Sequence, residues 1–352
     1  MTKRENFLSL IKRQGYQKVP VDFWLCPSLH DKFWDCMDKN QPDIDADLSY
    51  REVPDLAPAQ IDSTLFHQFY DIPITDNIKI DAYGVGHIYE ENCFHMSRMI
   101  HPMQSFDSLE QIKTYPYLDY SKSSNEQQKK EVEQAHNNGY AALGQMQMTI
   151  WEAAWYMRGM ENLMMDMMSE DDMATVLLDK VTDNAIIRAQ SFAKSGCDVI
   201  FLGDDIGMQY TIMLSEELYK TWLQPRLKRV IDSIKSVNPE AIIFYHSCGF
   251  ITPLIPYLIE AGVEVLNPIQ TECMDFKEIH DQFGQTISFN GTIGTQSTMP
   301  FGTPDEVRRA VFENMDIAGD KGGLLVAPTH MLEPEVPVEN VIAYIKACND
   351  YK

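Results

Sequence analysis

The sequence predicts an α/β fold, a (β/α)8 TIM barrel with an N-terminal insertion over the barrel mouth. Three observations carry that expectation. The C-terminal half alternates short apolar runs with longer helical stretches through five successive units, which implies a parallel sheet with crossover helices. Those runs are almost continuously apolar, as strands are when both faces are covered. Two further runs nearer the N-terminus bring the count toward the eight units that a chain of 352 residues accommodates in this fold.

The opening segment, MTKRENFLSLIKRQGYQKVP, reads as a short amphipathic helix, and Val19–Leu25 (VPVDFWL) as the first strand. Residues 26–140 are polar, less regular and broken by prolines, so they form the expected insertion, with residues 124–138 as a charged, solvated helix. Ala141–Gln147 (AALGQMQ) is the next strand. The five units then run in order: Asp198–Asp205 before a helix at Leu214–Val237, Ala241–Gly249 before Ile251–Ala261, and Val263–Gln270 before Met274–Phe283. Thr286–Gly294 before Pro304–Ala318 and Gly323–Pro328 before Val338–Asn349 complete them. A doubly wound nucleotide-binding sheet is a weaker fit, because Gly84-Val85-Gly86 lacks a third glycine and no P-loop occurs. No internal repeat and no clean linker interrupt the chain, so residues 1–352 are expected to form a single domain.

Composition narrows the partners. Apolar residues make up 44% and charged residues 23%, an ordinary globular mix. Lys plus Arg is 29 against 52 for Asp plus Glu, a net charge of −23. Such a chain is repelled by phosphate backbones and anionic lipid, so neither nucleic acid nor a membrane is expected as a partner. No apolar run of about 18 residues exists to span a bilayer. The opening helix has no apolar h-region and no small-residue cleavage site, so no signal peptide is expected. Cys26, Cys36, Cys93, Cys197, Cys248, Cys273 and Cys348 are scattered and contain no C-x-x-C pair. They read as reduced thiols in a cytoplasmic protein.

The strongest chemical feature is Tyr245-His246-Ser247-Cys248-Gly249 at the end of an expected strand. Strand side chains alternate, so His246 and Cys248 face the same way, at the end of a barrel strand where active sites sit. An imidazole and a thiolate so placed make half a zinc site, although an isolated pair of this kind is more often a buried Cys beside a hydrogen-bonded His. His330, after the last strand, supplies a third donor on the same rim, and three protein ligands with an open fourth position is the catalytic zinc pattern. Cys273 and Glu272 are weaker candidates for that third place. Of the adjacent Asp204 and Asp205, at most one faces the mouth as a general acid or base, the alternative being a helix cap. Gln209 lies just beyond and suits a polar substrate. Met146–Met173 holds nine of the twenty methionines beside Trp151 and Trp155, a stripe that is either core or an apolar pocket wall. Tyr83 is a further candidate for apolar contact. No G-x-S-x-G, H-E-x-x-H or Walker sequence supports a serine hydrolase, zincin or nucleotide hydrolase.

Several of these segments together resemble the uroporphyrinogen decarboxylase superfamily: HSCG, the later L-N-P-I-Q, FNGTIGTQ, the GDD strand end and the closing GGLLVAPTH with VPVEN. The resemblance runs over most of the chain and implies the same barrel. It also implies one of two activities. Decarboxylases of that superfamily carry an arginine-rich loop after the first strand, whereas Trp24–Phe33 here holds no arginine. The other branch comprises zinc methyltransferases that work with a corrinoid protein. Their metal is held by an H-x-C pair, matched by His246 and Cys248, and by a distant Cys, at whose position His330 stands. The resemblance therefore implies zinc, a corrinoid carried by a partner protein, and a small methylated substrate (methyl ether, amine or thiol). Asp204, Asp205 and Gln209 would position the substrate or manage its proton, with Tyr83, Trp151 and Trp155 supplying apolar contacts. The alternatives are a porphyrinogen-type decarboxylase and a non-catalytic small-molecule-binding barrel, and a homodimer stays open.

Overall fold

The computed structural model describes residues 1–40, 44–88 and 98–351. Its strands are β1 (Tyr50–Val53), β2 (Ile78–Ile80), β3 (Gly86–Ile88), β4 (Arg98–Ile100), β5 (Ala141–Gln147), β6 (Val199–Gly203), β7 (Ile242–His246), β8 (Val265–Asn267), β9 (Ser288–Asn290) and β10 (Leu324–Leu325). β1 and β5 through β10 pair in parallel, each with its neighbour in that order, to form one curled sheet. β2, β3 and β4 form a small antiparallel sheet apart from it. The eighth stave is the segment expected as the first strand. It runs extended but makes only one ladder contact, a parallel bridge between Leu25 and Leu332. There Leu332 N–H donates to Trp24 O at 2.8 Å and Cys26 N–H to Leu332 O at 2.9 Å.

The barrel and its alternation agree with the expectation, but the insertion does not keep to the mouth. β1 is a barrel strand lying inside the polar stretch 26–140. It escapes notice because it has four residues, of which Arg51 and Glu52 are not buried. The strands are also shorter than the apolar runs that announce them: β8 covers three residues of the run Val263–Gln270. Most of the flanking residues are buried in irregular segments outside the ladder, where apolarity no longer reports a strand. Helix Pro304–Ala318 starts and ends where expected, fixed by a Thr303–Glu306 capping box and Pro304 in the first turn. No disulfide joins the six described cysteines; Cys93 lies outside the described residues. Among the described residues, no helix is long and apolar enough to cross a membrane.

The opening helix, Lys3–Ile11, begins at a Thr2–Glu5 capping box. Its Phe7, Leu10 and Ile11 are buried against inward side chains of successive strands, among them Tyr50, Leu143, Phe201, Phe244 and Leu325. The helix thus stoppers the N-terminal end of the barrel. Asp198, just before β6, pins it there. Its carboxylate accepts from Arg4 at 2.6 Å and from the Ala142 N–H at 2.9 Å, with His136 Nε2 at 2.8 Å. Burial alone would raise this carboxyl, but the bonds from Arg4, Ala142 and His136 outweigh it and hold the group below its ordinary range. A carboxyl depressed in the folded state adds stability above the unfolded value of about 3.9, and that stability fades as pH falls through it. Asp198→Asn is therefore expected to lower unfolding free energy by about 1–3 kcal/mol near neutrality, towards the low end because Arg4 still reaches water. In urea titrations the gap from wild type should shrink below about pH 4; a gap independent of pH would contradict the clamp.

Candidate active site at the barrel mouth

The site is built on the register of β6 against β7, which sets Gly203 opposite His246. A Cβ at position 203 would lie 2.7 Å from His246 Cβ, so any side chain there would push the base of the His246 side chain out of place. The loops leaving these two strands then cross. Phe250 N–H donates to Met208 O at 2.7 Å, and Gly249 turns the second loop with φ of 85°, a left-handed conformation that glycine adopts without strain. The crossing brings the Cys248 N–H onto Asp205 Oδ1 at 2.7 Å. Cys248 Sγ then stands 3.5 Å from His246 Nε2, and Asp205 Oδ1 stands 3.6 Å from the same nitrogen.

Asp205, His246 and Cys248 thus offer ligand atoms that all lie within 4.8 Å of one another, the one such group of three or more among the described residues. One carboxylate oxygen, one imidazole nitrogen and one sulfur make a mixed donor set that suits zinc and other borderline divalent ions. The electrostatics agree. Burial first, then the carboxylates of Asp205 and Glu152, push the Cys248 thiol far above its ordinary range. A thiolate here needs a cation beside it.

Asp204 turns the other way, as strand alternation requires. Its buried carboxylate accepts from the backbone N–H of Ile150 at 3.0 Å and of Glu152 at 2.9 Å, so it caps helix Trp151–Arg158. Glu152 faces the mouth and accepts from the Tyr156 hydroxyl at 3.0 Å. Burial raises both carboxyls; the neighbouring Asp204 and Asp205 raise Glu152 further, and Asp205 acts likewise on Asp204. The pair therefore holds protons more tightly than ordinary carboxylates do.

Behind these groups the barrel is hollow, with a cavity of about 470 Å³ between the mouth and the stoppering helix. Phe7 and Phe244 line it below, and Glu152, Asp205, His246 and His330 line it above. No Lys or Arg lines it among the described residues. His330, expected as a third ligand, does not fall in that group of three, where the carboxylate of Asp205 stands beside His246 and Cys248. It sits in the loop after β10, five residues past Leu325, and is exposed. Neither Cys273 nor Glu272 enters the cluster either. Glu272 is bound to the Gln296 N–H at 3.1 Å and the Ser297 hydroxyl at 2.7 Å. Gln209 lies in the crossing loop with its amide 3.5 Å from Glu272 O. Trp151 is sealed in the core, and Trp155 packs edge-on against Tyr156 with ring centroids 4.3 Å apart. Tyr83 lines a small separate hole beside Arg188. The methionine stripe reaches the cavity through Met148.

Sequence reasoning missed Glu152, Asp22, Asn267 and Asn290, all of which line the cavity. The two asparagines end β8 and β9 in the structure, but each lies in the middle of its apolar run in the sequence.

Residues 78–351 match the family described as uroporphyrinogen decarboxylase (URO-D), and the chain belongs to that family. A methyltransferase from Methanosarcina mazei of known structure aligns over 100% of this chain and 99% of its own, with TM-score 0.68 and 18% identity. That likeness shows the fold. The methylcobamide:CoM methyltransferase MtaA of Methanosarcina barkeri is 25% identical over 180 residues, 51% of this chain and 50% of that protein. The chloroplastic uroporphyrinogen decarboxylase 2 of Oryza sativa subsp. japonica is 24% identical over 178 residues, 51% of this chain and 43% of that protein. The chain spans about half the length of the curated relatives it matches.

Gly203→Ala is the direct test of how the site is built. The added methyl must displace His246, so zinc affinity measured by chelator competition should fall about 10–100-fold. The chain should still fold, at a cost of about 1–3 kcal/mol. Unchanged affinity would show that the close approach does not govern the imidazole.

Proposed function

We propose that this chain transfers a methyl group between a small methylated substrate and a corrinoid carried by a partner protein. Zinc would be held by Asp205, His246 and Cys248. The observation that carries this reading is the convergence of three metal-ligating atoms at the rim of a closed-ended cavity. The family and the methyltransferase relative named above support it. A bound zinc supplies Lewis acidity toward the ether oxygen, amine nitrogen or thiol sulfur that carries or receives the methyl group.

The chain's own residues supply the rest. The hollow barrel takes the substrate out of bulk water and orients it between aromatic walls. The Glu152 carboxyl, with its raised proton affinity, holds a proton at Oε2 or accepts one there as the heteroatom changes charge. Asp204 fixes the first turn of the helix that carries Glu152. His330, on the facing loop, meets whatever enters the mouth. The chain would act as one domain in the cytoplasm. The decarboxylase alternative asks this cavity to bind a polycarboxylate, and no Lys or Arg among its described lining residues would receive one.

Protein purified without chelator is expected to hold about one zinc per chain. Asp205→Ala, His246→Ala and Cys248→Ala should lose it, whereas His330→Ala should weaken binding by less than about tenfold. Metal analysis of the four variants checks this, and wild type that stays metal-free in excess zinc would refute the site.

The reaction is tested by mixing the zinc protein and free cob(I)alamin with methoxylated aromatics or methylamines. The cobalamin absorbance should change from Co(I) to methyl-Co(III), and the change should vanish with Cys248→Ala. Decarboxylation of a porphyrinogen by the unassisted protein would restore the alternative.

A further inference from the structure

Four staves of the barrel are joined at one level by a line of side chains, in addition to the ladders between β7, β8 and β9. His246 Nδ1, at the end of β7, lies 2.6 Å from Asn267 Oδ1, at the end of β8. Asn267 Nδ2 lies 2.6 Å from Asn290 Oδ1, at the end of β9. Asn290 Nδ2 lies 2.9 Å from Asp22 Oδ2, on the extended segment that serves as the eighth stave. Asp22 is buried and held by further bonds. Its other oxygen accepts from the Tyr50 hydroxyl at 2.7 Å, and its backbone N–H donates to the Tyr344 hydroxyl at 3.0 Å.

The direction of this line is fixed at two points by groups that can only accept. Asn290 Nδ2 also faces the carbonyl of Leu325 at 3.3 Å. That end of the amide is therefore the donor, and its oxygen faces Asn267. Asn267 Nδ2 likewise faces the carbonyl of Asn290 at 3.3 Å, so its oxygen faces His246. An amide oxygen cannot donate, so His246 Nδ1 carries a proton. In the neutral ring Nε2 is then bare. It faces Cys248 and Asp205 with its lone pair, beside an oxygen that is itself an acceptor.

We infer that Asn267, Asn290 and Asp22 are positioning residues that lock His246 in the Nδ1–H form and so present Nε2 as a ligand. The inference rests on the metal-site reading and deepens it. In the other tautomer Nε2–H would point at Asp205 and satisfy it without a metal, and the cluster would close on itself. The amide line removes that alternative. It also makes the metal site depend on Asp22, three side chains away, and on the stave that the backbone ladder holds least. Orientation of this kind by an outer partner is typically worth 10–100-fold in metal affinity.

The test reads the ring directly. Histidine nitrogen NMR of metal-free protein should show the His246 ring protonated at Nδ1 with Nε2 bare. Asn267→Leu removes the acceptor. It should shift the ring toward the Nε2–H form and lower zinc affinity, by chelator competition, about 10–100-fold. Asn267→Asp keeps an acceptor for Nδ1–H and should hold zinc far better than Asn267→Leu. Asp22→Ala should lower affinity in the same direction by a smaller factor. A His246 ring protonated at Nε2 in wild type would overturn the inference, as would equal zinc affinity in wild type and Asn267→Leu. If Asn267→Leu does not fold, the wild-type spectrum and the Asn267→Asp affinity decide. Zinc binding that is absent from wild type while Nδ1 is protonated would defeat the metal reading and leave the tautomer lock standing.

Discussion

The alignment of Gly203 with His246 is the constraint from which the rest of the site follows. Parallel register places the two residues side by side at the ends of β6 and β7, and the missing side chain of one admits the ring of the other. Because strand side chains alternate, the same register decides which of the next two aspartates faces the mouth. Asp204 turns back to cap a helix, and Asp205 meets Cys248 where the loops cross. A shift of one residue would exchange their roles and separate the three ligand atoms.

Around this point the barrel collects groups that do not favour one another: a thiol, three carboxyls and an imidazole in a partly buried cluster. A folded chain tolerates such a concentration only where its surroundings over-determine it. Here the support comes from the cap on helix Trp151–Arg158 and from amide side chains spanning adjacent strands. The apolar core outside and below the sheet carries the stability, leaving the mouth free to hold chemistry that would not fold by itself.

The fold was legible because parallel strands covered on both faces write themselves as apolar runs, and because capping boxes mark helix starts. β1 was not, since four residues with two charged side chains carry no such pattern. The pairing of His246 with Cys248 could be read from period two. The place of Asp205 beside them could not, because adjacent aspartates look alike until the register assigns their faces. The asparagine line was beyond local reading for a different reason. Its members are 21 and 23 residues apart in the chain for two links and 268 for the third, and only barrel closure sets them at one level.

The stopper formed by helix Lys3–Ile11 has a kinetic consequence. With Phe7, Leu10 and Ile11 buried in the barrel's lower end, apolar side chains plug that end of the barrel. Under the proposed function, the small substrate and the corrinoid protein would share the mouth as one doorway. The small molecule would then have to arrive first and its product leave last, and excess corrinoid protein would inhibit by covering an empty interior.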